Sequence, residues 1–299
     1  MRNSGKLPLP AGQVAFISEL SQLESLAFYY YDQELPPLDK LVNLRCLDWT
    51  SSADSEEISK LVSLRKLDCG AYGPVGFGSW GFLNVSHIVE LPHLEEVYCR
   101  YCRVRNVDQF EKCGSLRKLD ARGVILVKKP SPGSFLSFFP KMSTLQELSV
   151  GSHTSYTMPG EPDGTQFEGD LERLRGFAGL RFLRVNRDVD SIEPLSHLKN
   201  LERLHVGRVN GDLAPLAGCE SLMEFNLILQ RKQDYSAVND TNIKELFGKV
   251  ADDDFDSFKK NQSEWLENLL KVDAFLEVRE DDDWKFEKGS RLYSRPAKK

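Results

Sequence analysis

The feature that most narrows what this chain can fold into is a spacing. Apolar residues return in steps of three and then a step of two: Leu41, Leu44, Leu47, Trp49; then Leu61, Leu64, Leu67, Cys69; then Leu91, Leu94, Val97, Cys99. The register continues through Cys113, Leu116, Leu119, Ala121, through Met142, Leu145, Leu148, Val150, and through Phe177, Leu180, Leu183, Val185. It ends with Leu198, Leu201, Leu204, Val206 and Cys219, Leu222, Phe225, Leu227; an earlier copy, Leu20, Leu23, Leu26, Phe28, brings the total to nine. Steps of three suit a tight 3₁₀-like segment, where residues i and i+3 eclipse. A step of two marks a strand, whose side chains alternate between faces. Each copy therefore predicts a turn followed by a short strand. One copy cannot bury its apolar side alone, but stacked copies share a continuous core.

Many copies extend upstream by further steps of three, as in Leu35-Leu38-Leu41, Ile192-Leu195-Leu198 and Leu213-Leu216-Cys219. The first core residues are separated by 21, 20, 30, 22, 29, 35, 21 and 21 positions. This pattern resembles the leucine-rich-repeat family. Its short steps are similar to the subclass of bacterial internalin-like proteins with repeats of about 20–22 residues, and Ile192 to Leu201 is the best single match. The resemblance covers residues 14–230. It implies an α/β leucine-rich-repeat solenoid whose concave face is a parallel sheet of about nine strands, one per copy. The family's Asn ladder is mostly missing: Cys102, Ser52 and His153 stand at that place in three copies.

Residues 231–299 leave the repeat and read as a C-terminal α+β cap, a helix plus hairpin. Asn242 to Lys249 is expected to be a short helix, with Asn242 and Glu245 as a capping box. Phe255, Phe258, Trp265, Leu266, Leu269, Leu270 and Val272 form a helical stripe. Ala274 to Glu280 and Trp284 to Ser294 read as the two strands of a hairpin. A solenoid needs its open end covered, and capping is the expected role.

Three steps are long, and each excess follows a strand: Gly70 to Ser86, Arg122 to Pro140 and Gly151 to Asp170. Insertions in a solenoid fall on one edge, often beside the binding face. Trp80, Phe82, Phe135, Phe138 and Phe139 give the first two loops apolar side chains that can pack or bind.

Chemistry-bearing motifs fail on inspection. Cys99-x-x-Cys102 has no second ligand pair of the kind a zinc site needs, and the repeat register explains both cysteines. Gly76-x-Gly78-x-x-Gly81 spells a dinucleotide fingerprint but opens no helix of a βαβ unit. Asp252, Asp254 and Asp256 lack the Gly and Glu of a calcium loop. Ser149 and His205 lie two strands apart, roughly 10 Å, too far for a nucleophile and its base. The expectation is no catalytic residue, no metal and no cofactor.

The net charge is −6 and the pI about 5.5. Such a surface would repel phosphate backbones, which argues against nucleic acid and fits a basic protein partner better. No apolar run approaches a membrane span, and the first 22 residues lack a secretory h-region. Six scattered cysteines then point to reduced thiols in the cytoplasm.

Strand alternation says which residues face outward. The first half of the array carries an acidic column, Asp48, Asp68 and Asp120, interrupted by Tyr98 and flanked by Tyr29, Arg100 and Arg122. The second half carries Arg184, Arg203 and His205 beside Phe182. Aromatic and Arg residues anchor interfaces most often, so these eleven positions are the expected partner site. Reversing Asp68 and Asp120 to Lys is expected to weaken binding without unfolding the protein. By analogy with its fold, the chain is expected to be a non-catalytic module that binds a protein on the concave face and edge loops. A bacterial immunity protein neutralising a toxin is the specific expectation. The alternatives are a bacterial effector that binds a host protein and a regulatory scaffold subunit of a phosphatase or ligase.

Overall fold

Steps of three become chains of tight turns. In the computed structural model, Leu195 N donates to Ile192 O at 2.9 Å, Leu198 N to Leu195 O at 2.8 Å and Leu201 N to Leu198 O at 3.0 Å. The eclipsed Leu side chains this produces are 0% exposed. Burying each contributes on the order of 2 kcal/mol. The structure describes residues 15–29, 35–50, 54, 56–70, 81–127, 142–151, 171–230, 233–249 and 275–279. It forms two units, Met1–Gln166 and Phe167–Lys299.

In the first unit the main strands are β1 (Ser25–Tyr29), β2 (Cys46–Thr50), β3 (Lys66–Asp68), β5 (Glu96–Tyr98), β7 (Lys118–Asp120) and β9 (Glu147–Val150), with β4 (Gly81–Asn84), β6 (Cys102–Arg105) and β8 (Ile125–Leu126) interleaved in sequence. The main strands pair in parallel in that order, and the core columns coincide: Leu26 with Leu47, Leu47 with Leu67, Leu67 with Val97, Val97 with Leu119, Leu119 with Leu148. The interleaved strands form a separate parallel sheet, β4-β6-β8, that the repeat pattern did not predict. Part of the first long insertion is thus ordered as β4, while residues 71–80 of it lie outside the described residues. Gly81 is needed there: a Cβ would overlap the Cys69 carbonyl oxygen and come within 2.7 Å of Cys102 Sγ. Cys102 Sγ donates to that same carbonyl at 2.9 Å.

In the second unit β10 (Phe182–Val185), β11 (Arg203–Val206), β12 (Glu224–Ile228), β13 (Glu245–Lys249) and β14 (Phe275–Arg279) pair in parallel, each with the next. Here the structure corrects the expected helix at Asn242 to Lys249. Residues 245–249 are a strand, preceded by a 3₁₀ turn at Ser236–Asp240. The reason is a further copy of the repeat: Tyr235 and Val238 make the step of three, Ile243 and Leu246 follow, and all four are buried. Asn242 does not cap a helix; its Nδ2 donates to Glu220 O at 2.6 Å. The parallel ladder therefore runs on past residue 230, and Phe275–Arg279 is a parallel strand in it; the expected hairpin partner of this strand lies outside the described residues. The helical stripe at 255–272, the acidic run at 252–256 and the strand at 284–294 lie outside the described residues, as do most of the other two insertions.

A polar ladder does exist, in the turn ahead of each strand rather than after it. Asn43 donates to Ser21 O at 3.0 Å, Ser63 to Val42 O at 2.5 Å and Ser115 to Pro92 O at 2.7 Å in the first unit. In the second, Asn200 donates to Ala178 O at 2.9 Å. Each side chain occupies the same register position and satisfies a carbonyl of the preceding coil.

Candidate functional site

Alternation along each main strand sends one column into the core and the other to an open face. On the first unit the open face centres on Tyr98 of β5. Its hydroxyl donates to Glu96 Oε2 at 2.8 Å. Lys66 Nζ, from β3, stands 4.7 Å from the ring centroid, Lys118 Nζ, from β7, 5.6 Å, and Arg100 Cζ 5.7 Å. Burial, then the Glu96 bond, push the Tyr98 hydroxyl above its ordinary pKa. The lysines in turn meet carboxylates, Lys118 with Glu147 at 2.6 Å and Lys66 with Glu96 at 4.0 Å.

The acidic column needs correction. Asp68 and Asp120 are each only 6% exposed. Arg122 grips Asp120 with two bonds, Nε to Oδ1 at 2.8 Å and Nη2 to Oδ2 at 2.7 Å. Arg100 reaches Asp68 at 3.2 Å and Asp120 at 3.6 Å. The backbone N–H of Gly70 also donates to Asp68 Oδ1 at 3.0 Å. These carboxylates are nearly buried and neutralised by their own neighbours, because the short strands place Arg two residues after Asp in one coil and beside it in the next. Both positions are engaged in pairing within the face, so reversing them to Lys is expected to cost stability as well as to change the face. Asp48 stands in register with Asp68 and is half-buried. Tyr29 is in register with Thr50, and its side chain lies outside the described residues.

The second unit gathers three of the expected residues, Arg184, Arg203 and His205, around the ring of a fourth, Phe182. Arg203 Cζ lies 4.8 Å and Arg184 Cζ 5.5 Å from the Phe182 centroid. The His205 ring meets Phe182 edge-on at 5.0 Å. Arg184 Nη2 is 3.0 Å from His205 Nδ1, and His205 Nε2 is 2.8 Å from Glu224 Oε1. A guanidinium can only donate, so Nδ1 accepts and the imidazole proton sits on Nε2, which donates to Glu224. Burial lowers the His205 pKa and outweighs Glu224, while Arg184 and Arg203 add to the lowering. The His205 bond in turn holds the Glu224 carboxyl below its ordinary value. Asn226 Nδ2 also donates to Glu224 Oε1, at 2.7 Å.

Glu224 and Asn226 take part without having been expected from the sequence, as do Lys66 and Lys118 around Tyr98. The signal was present: all four stand in the same outward columns as the expected residues. Cys99 and Cys102 are both buried, and burial raises both thiol pKa values. All six cysteines are free thiols.

An internalin from Listeria monocytogenes superposes on this chain with a TM-score of 0.51 at 15% identity, covering 92% of this chain and 87% of that one. The fold is the leucine-rich-repeat fold. Internalin C2 from the same species is similar at 16% identity over 77% of this chain and 83% of its own, with a TM-score of 0.44. A leucine-rich-repeat protein from Leptospira interrogans is similar at 13% identity over 86% and 73%, with a TM-score of 0.42. No family model and no curated protein matches the sequence. The core constrains only the inward neighbours of the strand column carrying Tyr98, Arg184 and His205, because side chains alternate between the two faces of a strand. Among the described residues no helix is long and apolar enough to cross a membrane.

Proposed function

We propose that this chain is a non-catalytic recognition module that binds a protein partner on the open, concave face of its leucine-rich repeats. The observation that carries the reading is the Phe182 platform. A half-buried aromatic ring, two guanidinium groups and an imidazole share one patch of sheet, and no repeat-core requirement dictates their identity. Arg and aromatic side chains are the residues that most often dominate interface energy. Taken by itself, the open face of the first unit offers Tyr98 with its lysine neighbours rather than the aspartates, whose charge is already matched. Binding is tested by isolating the complex of the full chain with its protein partner and comparing wild type with Phe182→Ala. The expected loss is at least about tenfold in affinity, and unchanged affinity would remove the concave face from the reading.

Within this reading the specific role is that of a cytoplasmic immunity protein that neutralises one bacterial toxin. The net charge of −6 supports it, because a field of one sign speeds encounter with a basic target. Co-expression with the toxin should rescue growth. Failure to rescue while a stable complex forms would leave a binding module with another role.

A further inference from the structure

The His205 ring is held by hydrogen bonds of opposite direction on its two sides. Toward β10 its Nδ1 is an acceptor, taking Nε of Arg184 at 3.3 Å and Nη2 at 3.0 Å. Toward β12 its Nε2 donates to Glu224 Oε1 at 2.8 Å, and Asn226 Nδ2 donates to the same oxygen at 2.7 Å. The edge-on contact with Phe182, 5.0 Å between ring centroids, fixes the plane of the imidazole. The charged groups that act on it are Arg184 from β10, Glu224 from β12 and Arg203 from its own strand, β11.

This arrangement suits only the neutral imidazole. A protonated ring carries N–H on both nitrogens and accepts nothing. The bond from Nε2 to Glu224 survives protonation and becomes charge-assisted on both sides. The ring therefore stays where Glu224 and Phe182 hold it. Its new Nδ1–H, in contrast, points at the donors of Arg184, and two cations then face each other across the 3.0 Å between Nη2 and Nδ1. The side chain with several rotatable bonds is the one that yields, and that is Arg184. We infer that His205 is a proton-operated latch on Arg184: the neutral imidazole draws the Nε/Nη2 edge of Arg184 onto the sheet, and protonation turns that edge away toward the open face. The latch belongs to this chain alone and does not depend on what binds the face. It operates below the ordinary imidazole range, because burial and the two arginines oppose the proton more than Glu224 favours it. Neutral and mildly acidic solution thus present different faces, while the core columns beneath are unchanged.

The test follows the full-length chain, with isotope-labelled histidine and arginine side chains, by NMR between about pH 7.5 and about pH 5. At the upper end the imidazole nitrogen shifts should report Nδ1 without a proton and Nε2 with one. His205 should titrate with a midpoint below 6.5. The protection of Arg184 Nε–H against solvent exchange should fall roughly tenfold with the same midpoint, the loss of a bond to a charged donor. Glu224→Gln withdraws the carboxylate that favours the proton, so both midpoints should move together to lower pH. His205→Gln should abolish the pH dependence at Arg184 and leave Arg181, paired with Glu202, as in the wild type. A neutral ring protonated on Nδ1, or a His205 midpoint at or above 6.5, would overturn the inference. So would Arg184 protection that is constant across the His205 titration, a pH dependence that persists in His205→Gln, or midpoints that separate in Glu224→Gln.

Discussion

The open faces of the two units are built on the same strand register, yet they treat arginine in opposite ways. In the first unit Arg100 and Arg122 turn inward along the face onto Asp68 and Asp120, and those carboxylates are nearly buried. In the second unit Arg184 and Arg203 lie across Phe182, and the nearest-strand carboxylate is occupied by an imidazole and an amide. The repeat determines where a side chain stands. Whether it is spent on its own fold or presented to a partner depends on what the adjacent coil places beside it. An Asp–Arg pair two residues apart closes one face, whereas on the other a ring sits between two arginines.

The contrast places the largest effect on stability in the first unit. Asp120→Ala deprives Arg122 of both its acceptors and Arg100 of one. Breaking a nearly buried pair on one side costs about 3 kcal/mol or more. Chemical denaturation of the variant should show that loss. A change below about 0.5 kcal/mol would mean that the network is an ordinary surface pairing and that the first face is as open as the second.

A smaller loss should follow from the small sheet, which also distinguishes the units. Gly81→Ala places a methyl group against the Cys69 carbonyl and Cys102 Sγ. Neither can retreat far, because the carbonyl is backbone and the thiol is buried and bonded to it. Overpacking of this kind costs about 1–3 kcal/mol. Hydrogen exchange should quicken in β4, β6 and β8 and remain unchanged at β10 to β12. Uniform quickening would show that the two units open together.

How far the sequence foretold this molecule can be judged from individual residues. The spacing of Ile192, Leu195 and Leu198 needs no tertiary information, so the turns there and the inward strand columns were legible. The copy at Tyr235, Val238, Ile243 and Leu246 was not read, because Tyr235 and Gly248 stand where Leu is expected and Asn242 imitates a helix cap. The β4-β6-β8 sheet was missed because its strands lie within what periodicity marks as insertion or spacer, although Cys102-Arg103-Val104-Arg105 alternates visibly. At the site, outward positions were legible but their pairings were not. Asp68 and Asp120 face outward as expected and are still buried, since burial there comes from Arg100 and Arg122 folding over them, an event between coils that a one-dimensional pattern does not encode.

The second unit should be the acid-sensitive one. Burial holds the His205 pKa below its ordinary 6.5. As pH falls below that value the unfolded chain takes up the proton first, so stability rises with pH across the window. The contribution of His205 is complete above 6.5 and is lost as pH falls through its lowered folded value. Glu224, also lowered, loses its contribution only at pH values below 4.5. Between about pH 7.5 and about 5.5 the unfolding midpoint of the wild type should therefore decline more than that of His205→Gln. Parallel pH profiles would show that another group titrates.

The smallest effect on stability is the most telling for function. Arg203 is exposed at the start of β11, outside the buried columns. Arg203→Ala should alter stability by no more than about 0.5 kcal/mol, the usual range for surface positions, because the stacking it forfeits is partly replaced by water around Phe182. The same change should weaken the partner complex by roughly tenfold or more, the loss typical of an interface anchor. Asp120→Ala offers the opposite pattern, a large loss of stability at a position already occupied by the fold. A residue that costs binding without costing stability is one the fold does not use for itself. Should Arg203→Ala destabilise the chain as Asp120→Ala does, the second face would be closed by its own contacts too, and the difference between the units would vanish.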